Sequence, residues 1–353
     1  MRSRHGRVQF ACAAIALVTV WVTRPTATSQ AAADLPPTFE AYLSATVHPT
    51  AAERASIRSG AVFSTLLDGD PSQDVIVFGS VWINAPMSRY VEAVKDIERF
   101  ERGGGFKVTR RINAAPKLGD FDALSLPEDD VSALRSCRIG DCRVKLSEQQ
   151  INAFRTEVDW KGPGARAAAD TVMRRLAHEY VTGYVDGGGA RLAVYRDKPR
   201  PTSVDEELRS LIGQGSDLTS GWPALRRYLL EYPKSTLPDA TSFLYWQETR
   251  FGLKPTIRIS HLVILERPAA TLVASKMLFA THYFRTALEL RALIPDPARG
   301  PGFWLVTVNR SRSDGLTGFI GRMVRIRARS GAQRAMSATL ASTKRTLEQR
   351  RLP

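Results

Sequence analysis

The chain is poor in the residues on which most enzyme signatures are built. It has five histidines and three cysteines among 353 residues. The His-Glu pair in "HEYVTGY" has no second histidine one helical turn on, which excludes the zincin arrangement. "GQGSD" ends in Asp rather than Gly, so the nucleophile elbow of the α/β-hydrolases is absent. There is no dinucleotide glycine fingerprint, no P-loop, no internal repeat and no low-complexity tract. Beyond residue 33 no apolar run approaches the ~20 residues that a membrane-crossing helix needs.

The few cysteines divide by position. Cys12 falls in the leading segment, too early for a lipoprotein cleavage site. Cys137 and Cys142 lie close together in "SCRIGDCRVKL", with Gly140 and Asp141 supplying turn chemistry between them. A zinc site would need further His or Cys ligands, and none is nearby. The spacing is not Cys-x-x-Cys. A disulfide is the expected reading, with a metal pair or a redox couple as the alternatives, and no metal or cofactor is expected.

The leading segment has the pattern of a secretory signal. Arg2, Arg4 and Arg7 precede an apolar run from Phe10 to Val22, and small residues follow to Ala31–Ala33. The run is shorter than a spanning helix, the alternative being a membrane anchor. The expectation is a signal peptide over 1–33 and an exported chain, periplasmic or secreted, folded as one domain over 34–353. The full chain carries a net charge of +15, and the segment removed holds four arginines and no acid. The remainder stays basic, which favours anionic partners without selecting lipid headgroups over acidic glycans. Export argues against nucleic acid.

What is present is an ordinary globular composition, 43% apolar and 24% charged, long enough to bury a core. Residues 34–70 read as helical, with Thr50 or Pro49 opening a helix that runs to Gly69-Asp70-Pro71. Asp74 to Ile83 alternates as a strand with both faces partly apolar. Pro86 then suits the first turn of a helix carrying Met87, Tyr90, Val94 and Ile97 at helical spacing. Phe106 to Ile112 is a second strand. Helices fill the middle, with capping boxes at Ser147/Gln150 and Ser203/Glu206 and a long helix ending at Gly187. From Ser242 the period returns to two, in five strands with short connections. A last helix runs from about Gly315 to Gln349, with Asp314 or Ser313 as its cap.

This order, over Val75–Phe100, Ser242–Ser311 and Gly315–Gln349, resembles the START-like, helix-grip superfamily, which includes lipid-transfer domains, plant pathogenesis-related proteins and polyketide cyclases. "INAP" at Ile83 to Pro86 is similar to that superfamily's exit from its first strand. The resemblance implies an α+β fold, a curved antiparallel sheet gripping the long C-terminal helix. Its core would be 72–115 and 241–349, with a helical insertion over about 116–240. It also implies a cavity between sheet and helix.

Several residues are candidates to line that cavity. On the last helix Leu316, Phe319, Ile320, Met323 and Ile326 form one apolar stripe, and Arg327 and Arg334 continue it. Either arginine would hold an anionic head as a bidentate fork; the alternative is a solvated basic face. His261 and His282 sit on strands and are proton shuttles or satisfied core residues. Lys276 would meet a ligand carboxylate or a sheet partner. Tyr245, Trp246, Tyr283 and Trp304 would give an aromatic wall or plain core. The function expected is a non-catalytic binding protein for a hydrophobic or amphiphilic small molecule. The alternatives are a cyclase or hydratase with a cavity histidine, and a protein that associates with anionic lipid headgroups.

Overall fold

The computed structural model describes residues 39–103, 105–213, 219, 221–250, 254–316 and 318–349. The expected signal segment, with Cys12, lies outside them, as do the side chains of Phe319 and Ile320. Everything described belongs to one compact unit that begins at Leu35.

Asp74–Ile83 forms β2, buried along its whole length. Its β-branched and aromatic residues suit a strand covered on both faces. Pro86, extended, then starts α3 (Met87–Lys95), and α4 (Ile97–Phe100) follows. β3 is Phe106–Arg111. After the inserted block, whose short strands β4 (Val194–Tyr195) and β5 (Thr202–Ser203) pair with each other, come β6 (Ala240–Arg250), β7 (Pro255–Arg267), β8 (Ala270–Ala280), β9 (Phe284–Pro295) and β10 (Phe303–Ser313). These five expected strands pair in sequence as an antiparallel meander, and β10 returns to lie beside β2. The chain is thus α+β, with one eight-stranded antiparallel sheet and a long C-terminal helix, α10 (Gly318–Gln349).

The outer strand at the β2 edge is β1, Phe63–Leu67, a segment whose sequence reads as helix. Thr50 does open α2 (Ala51–Ser59) with a capping box to Glu53. The helix stops at Gly60, whose φ of 85° only glycine adopts without strain. Leu67 therefore lies beside Ile76 of β2 rather than on a helix.

The sheet has helices on both faces. Odd-numbered residues of β2 (Val75, Val77, Val81, Ile83) pack with α3, α4 and the second half of α10. Even-numbered ones (Ile76, Phe78, Trp82) pack under α1 (Phe39–Tyr42), α8 (Val204–Gly213) and α9 (Pro223–Glu231). Next to them on that second face lies a separate apolar core. It is built by α5 (Glu128–Leu134), α6 (Glu148–Glu157) and α7 (Ala165–Gly187) over Trp246, Ile257 and Ile259. The inserted residues are therefore a helical layer across the face opposite α10.

Gly79 fixes where α10 lands. Built on Gly79, a Cβ would stand 2.7 Å from both Leu340 Cδ1 and Met336 Cγ. Only a residue with no side chain lets the helix come this close. Ser64 Oγ and Ser337 Oγ lie 2.7 Å apart, and Lys344 Nζ donates to Trp82 O at 2.6 Å. The buried face of α10 is thus Met336, Leu340 and Leu347. The expected stripe is corrected: Met323 and Ile326 are exposed and only Leu316 of the described members is in the core.

A charge network ties the inserted layer to the sheet. Asp314 takes Lys145 at 2.6 Å, Arg285 at 2.8 Å and Lys198 at 3.1 Å. Glu207 joins Arg285 to Arg312, which reaches Asp74 at 3.2 Å. Burial alone would raise the Asp314 carboxyl, but the surrounding cations outweigh it and hold it well below the usual carboxylate range. Asp314 is thus an ion-pair centre rather than a helix cap. The Cys137–Cys142 disulfide forms within this layer. Its loop is pinned by Gly140 N donating to Arg196 O and Cys142 N to Asp197 O.

Candidate functional site

On β9 the apolar Leu288, Leu290 and Ala292 face the inserted layer. Glu289 and Arg291 alternate with them and so face α10. Arg291 is almost wholly buried, its side chain 8% exposed. Its Nη2 lies 2.8 Å from Glu289 Oε1 and 3.6 Å from Glu101 Oε1. Its Nη1 is buried with no hydrogen bond of normal geometry.

Glu101, just past α4, is buried too. Gln247 of β6 donates its amide to Glu101 Oε2 and, at 3.1 Å, to Thr109 Oγ1; Arg258 Nε donates to Gln247 Oε1 at 2.9 Å. Burial raises the Glu101 carboxyl above its ordinary range, with Arg291 and Arg258 pulling the other way. Burial likewise pushes the Tyr90 hydroxyl up to about 12, against the pull of the Arg291 charge beside it. Tyr245 OH and Ser275 Oγ, 3.0 Å apart, complete the set.

Two arginines and two carboxylates leave the cluster without a strong net charge. Its unsatisfied member is a donor, Arg291 Nη1, and an unpaired buried donor costs about 1–3 kcal/mol. An oxygen acceptor on a guest would remove that cost. A crevice of about 70 Å³ touches the cluster from outside, lined by Glu98, Glu101, Phe106 and Thr109 among others. That holds water-sized occupants.

The opposite face carries a second buried cluster. Lys276 and His261 are direct cross-strand neighbours on β8 and β7. Lys276 Nζ donates to Leu229 O in the last turn of α9 at 2.6 Å, and the rings of Tyr184 and Tyr232 lie 5.2 and 5.9 Å from it. Burial lowers the Lys276 pKa to about 7. His261 Nδ1 is 2.8 Å from Tyr184 OH, and burial, then the charge of Lys276, keep its pKa well below the ordinary value.

The sequence candidates therefore do not share one cavity. Tyr245 alone joins the Arg291 cluster. His261 and Lys276 come together on the other face, sealed under α7 and α9. Trp246 also faces that way, stacked on Phe121 and donating to Asp120 O. Trp304 packs between Phe39 and Trp82. His282 Nε2 lies 2.7 Å from Asp130 Oδ1, and Tyr283, at φ 60°, makes the β8–β9 turn. Alternation along each strand explains the division, because one-residue offsets send neighbours to opposite faces. Arg327 and Arg334 are exposed on α10 rather than turned to the sheet.

Sequence reasoning missed Arg291, Glu289 and Glu101. "ALELRALI" did hold a signal, two charges of opposite sign two residues apart inside an otherwise apolar strand. Elsewhere a groove of about 630 Å³ lies between α6, α7 and the segment 191–201, lined by charges of both signs, Glu148, Glu179, Arg191 and Arg196. Among the described residues no group of three or more His, Cys, Asp or Glu is placed to hold a metal, and no helix is long and apolar enough to cross a membrane. Neither protein-family models nor curated proteins match this chain.

Proposed function

We propose that the protein is an exported, non-catalytic binding protein of helix-grip type, whose guest is an amphiphilic small molecule. The guest's polar head takes an oxygen to Arg291 Nη1, and its apolar part is admitted to the packed sheet face as α10 moves off it, because the crevice there is water-sized. The observation that carries this reading is the buried Nη1, with no hydrogen bond of normal geometry, amid Tyr90, Tyr245 and Ser275. Supporting it, β2 and β10 are neighbours, α3 and α4 intervene between β2 and β3, and a long helix ends the chain. That order is the one the helix-grip resemblance implies. The disulfide accords with an oxidising compartment. A histidine proton shuttle loses its support, since His261 and His282 both have buried partners away from this cluster.

Native mass spectrometry and organic extraction of the full chain, purified from its own compartment, test the proposal. The expected result is a single small molecule bound at one per chain and lost in Arg291→Met. Tyr245→Phe keeps the fold and weakens retention by the worth of one hydrogen bond, about 1 kcal/mol or five-fold. A chain that carries no small molecule, or retains it equally in both variants, overturns the reading.

A further inference from the structure

The first half of α10 is set apart from the rest of the surface. Six large apolar residues are exposed among the described residues, and three of them, Met323, Val324 and Ile326, fall within four positions here. They are 52, 37 and 60% exposed. Arg322, Arg325, Arg327, Arg329 and Arg334 surround them, and the helix holds no acid before Glu348. None of these five arginines pairs with an acid among the described residues; Arg325 donates to the Pro71 carbonyl. By contrast Arg285, Arg291 and Arg312, on the sheet, are each matched to an acid. Side-chain hydrogen bonds from α10 to β1 begin only at Gln333, which donates to Ser64 O.

At about 100° per residue, Ile326 and Met323 lie side by side, with Arg322 and Arg329 along one flank and Arg327 and Arg334 along the other. An apolar centre between two cationic rows suits the boundary of an anionic bilayer. The apolar pair enters the acyl region while the arginine stems lie along it and their heads stay at the phosphates. A second copy of this chain is disfavoured as the occupant, because two such helices would bring like charges together. Nucleic acid would meet the arginines but leave Met323 and Ile326 in water.

We propose that residues 322–334 of α10 form a docking surface for anionic lipid membranes, with Met323 and Ile326 inserted and the arginines on the headgroup phosphates. This rests on the exposed first half of α10 and is independent of any guest at Arg291.

The test is co-sedimentation of the full chain with phosphatidylcholine vesicles, with and without about 30% phosphatidylglycerol. Binding is expected only with the anionic lipid. The triple variant Arg322→Gln, Arg327→Gln, Arg329→Gln should lose affinity about five-fold per arginine, on the order of a hundred-fold in all. Met323→Ser with Ile326→Ser should weaken binding about ten-fold or more, and the remaining attachment should be released by salt. Both variants change surface positions, so their melting temperatures, measured alongside, should match the parent. No binding to anionic vesicles at low salt overturns the proposal, as does binding indifferent to both variants. Capture of an RNA oligomer with vesicles left unbound also overturns it.

Discussion

Leu340 rests directly on Gly79, its Cδ1 occupying the space that any side chain at that position would need. The last helix and the first long strand are thereby fitted to one another. In Gly79→Val the added methyls must displace Leu340 and Met336. A loss of about 1–3 kcal/mol is expected, the usual cost of overpacking. Denaturant unfolding measures it. Limited proteolysis should also open new cleavage sites in α10 while those in the meander stay protected.

Lys276 should make stability depend on pH in an unusual direction. Its pKa is near 7 in the folded chain and about 10.4 when unfolded. Between those values the unfolded chain binds the extra proton, so stability rises with pH from about 7 to about 10, by at most about 1.4 kcal/mol per unit. Below 7 both states are protonated and the slope vanishes. Lys276→Met should flatten this rise. Equal slopes in parent and variant, from chemical denaturation across that range, would show that the amine keeps its proton on folding.

Asp314 works in the acid range with the opposite group type. Its folded pKa is depressed, so it stabilises the fold above its unfolded value of about 3.9, and that contribution fades as pH falls below it. Asp314→Asn should unfold more easily at neutral pH, by about 1.5–3 kcal/mol, because Lys145 loses its 2.6 Å partner and keeps only Asp197 at 3.6 Å. The variant should then lose less on further acidification than the parent does. Urea midpoints at neutral pH and in acid measure both effects.

The Cys137–Cys142 ring is small, so it restricts the unfolded chain only modestly. Replacing both cysteines by serine should cost about 2 kcal/mol. The loss should appear as earlier proteolysis near 137–142 and 196–197, where the loop's backbone hydrogen bonds lie.

Much of this fold was legible because its signals are local. Period-two alternation marked β2 to the residue, Ser147 with Gln150 marked the start of α6, and Gly187 marked the end of α7. β1 was not legible, because "FSTLL" is short and follows a helix with only Gly60-Ala61-Val62 to separate them. The packed half of α10 was misassigned because amphipathicity says that a helix has a face, not what it meets. That choice is made by Gly79, far away in sequence. Alternation sorts neighbours along one strand, and only the strand pairing shows that His261 of β7 and Tyr245 of β6 lie on opposite faces. The Arg291 cluster draws on α3, the end of α4 and five strands, so no window of the sequence contains it.

The partnership of β2 with β10 has a cost for the newly made chain. "VIVFGSVWI" emerges early and is apolar on both sides, yet the strand it must lie against is among the last segments synthesised. Until then it is a naked edge able to recruit its own kind. Folding of this protein should therefore be slow, dependent on a completed C-terminus, and prone to aggregate when truncated or crowded without a chaperone.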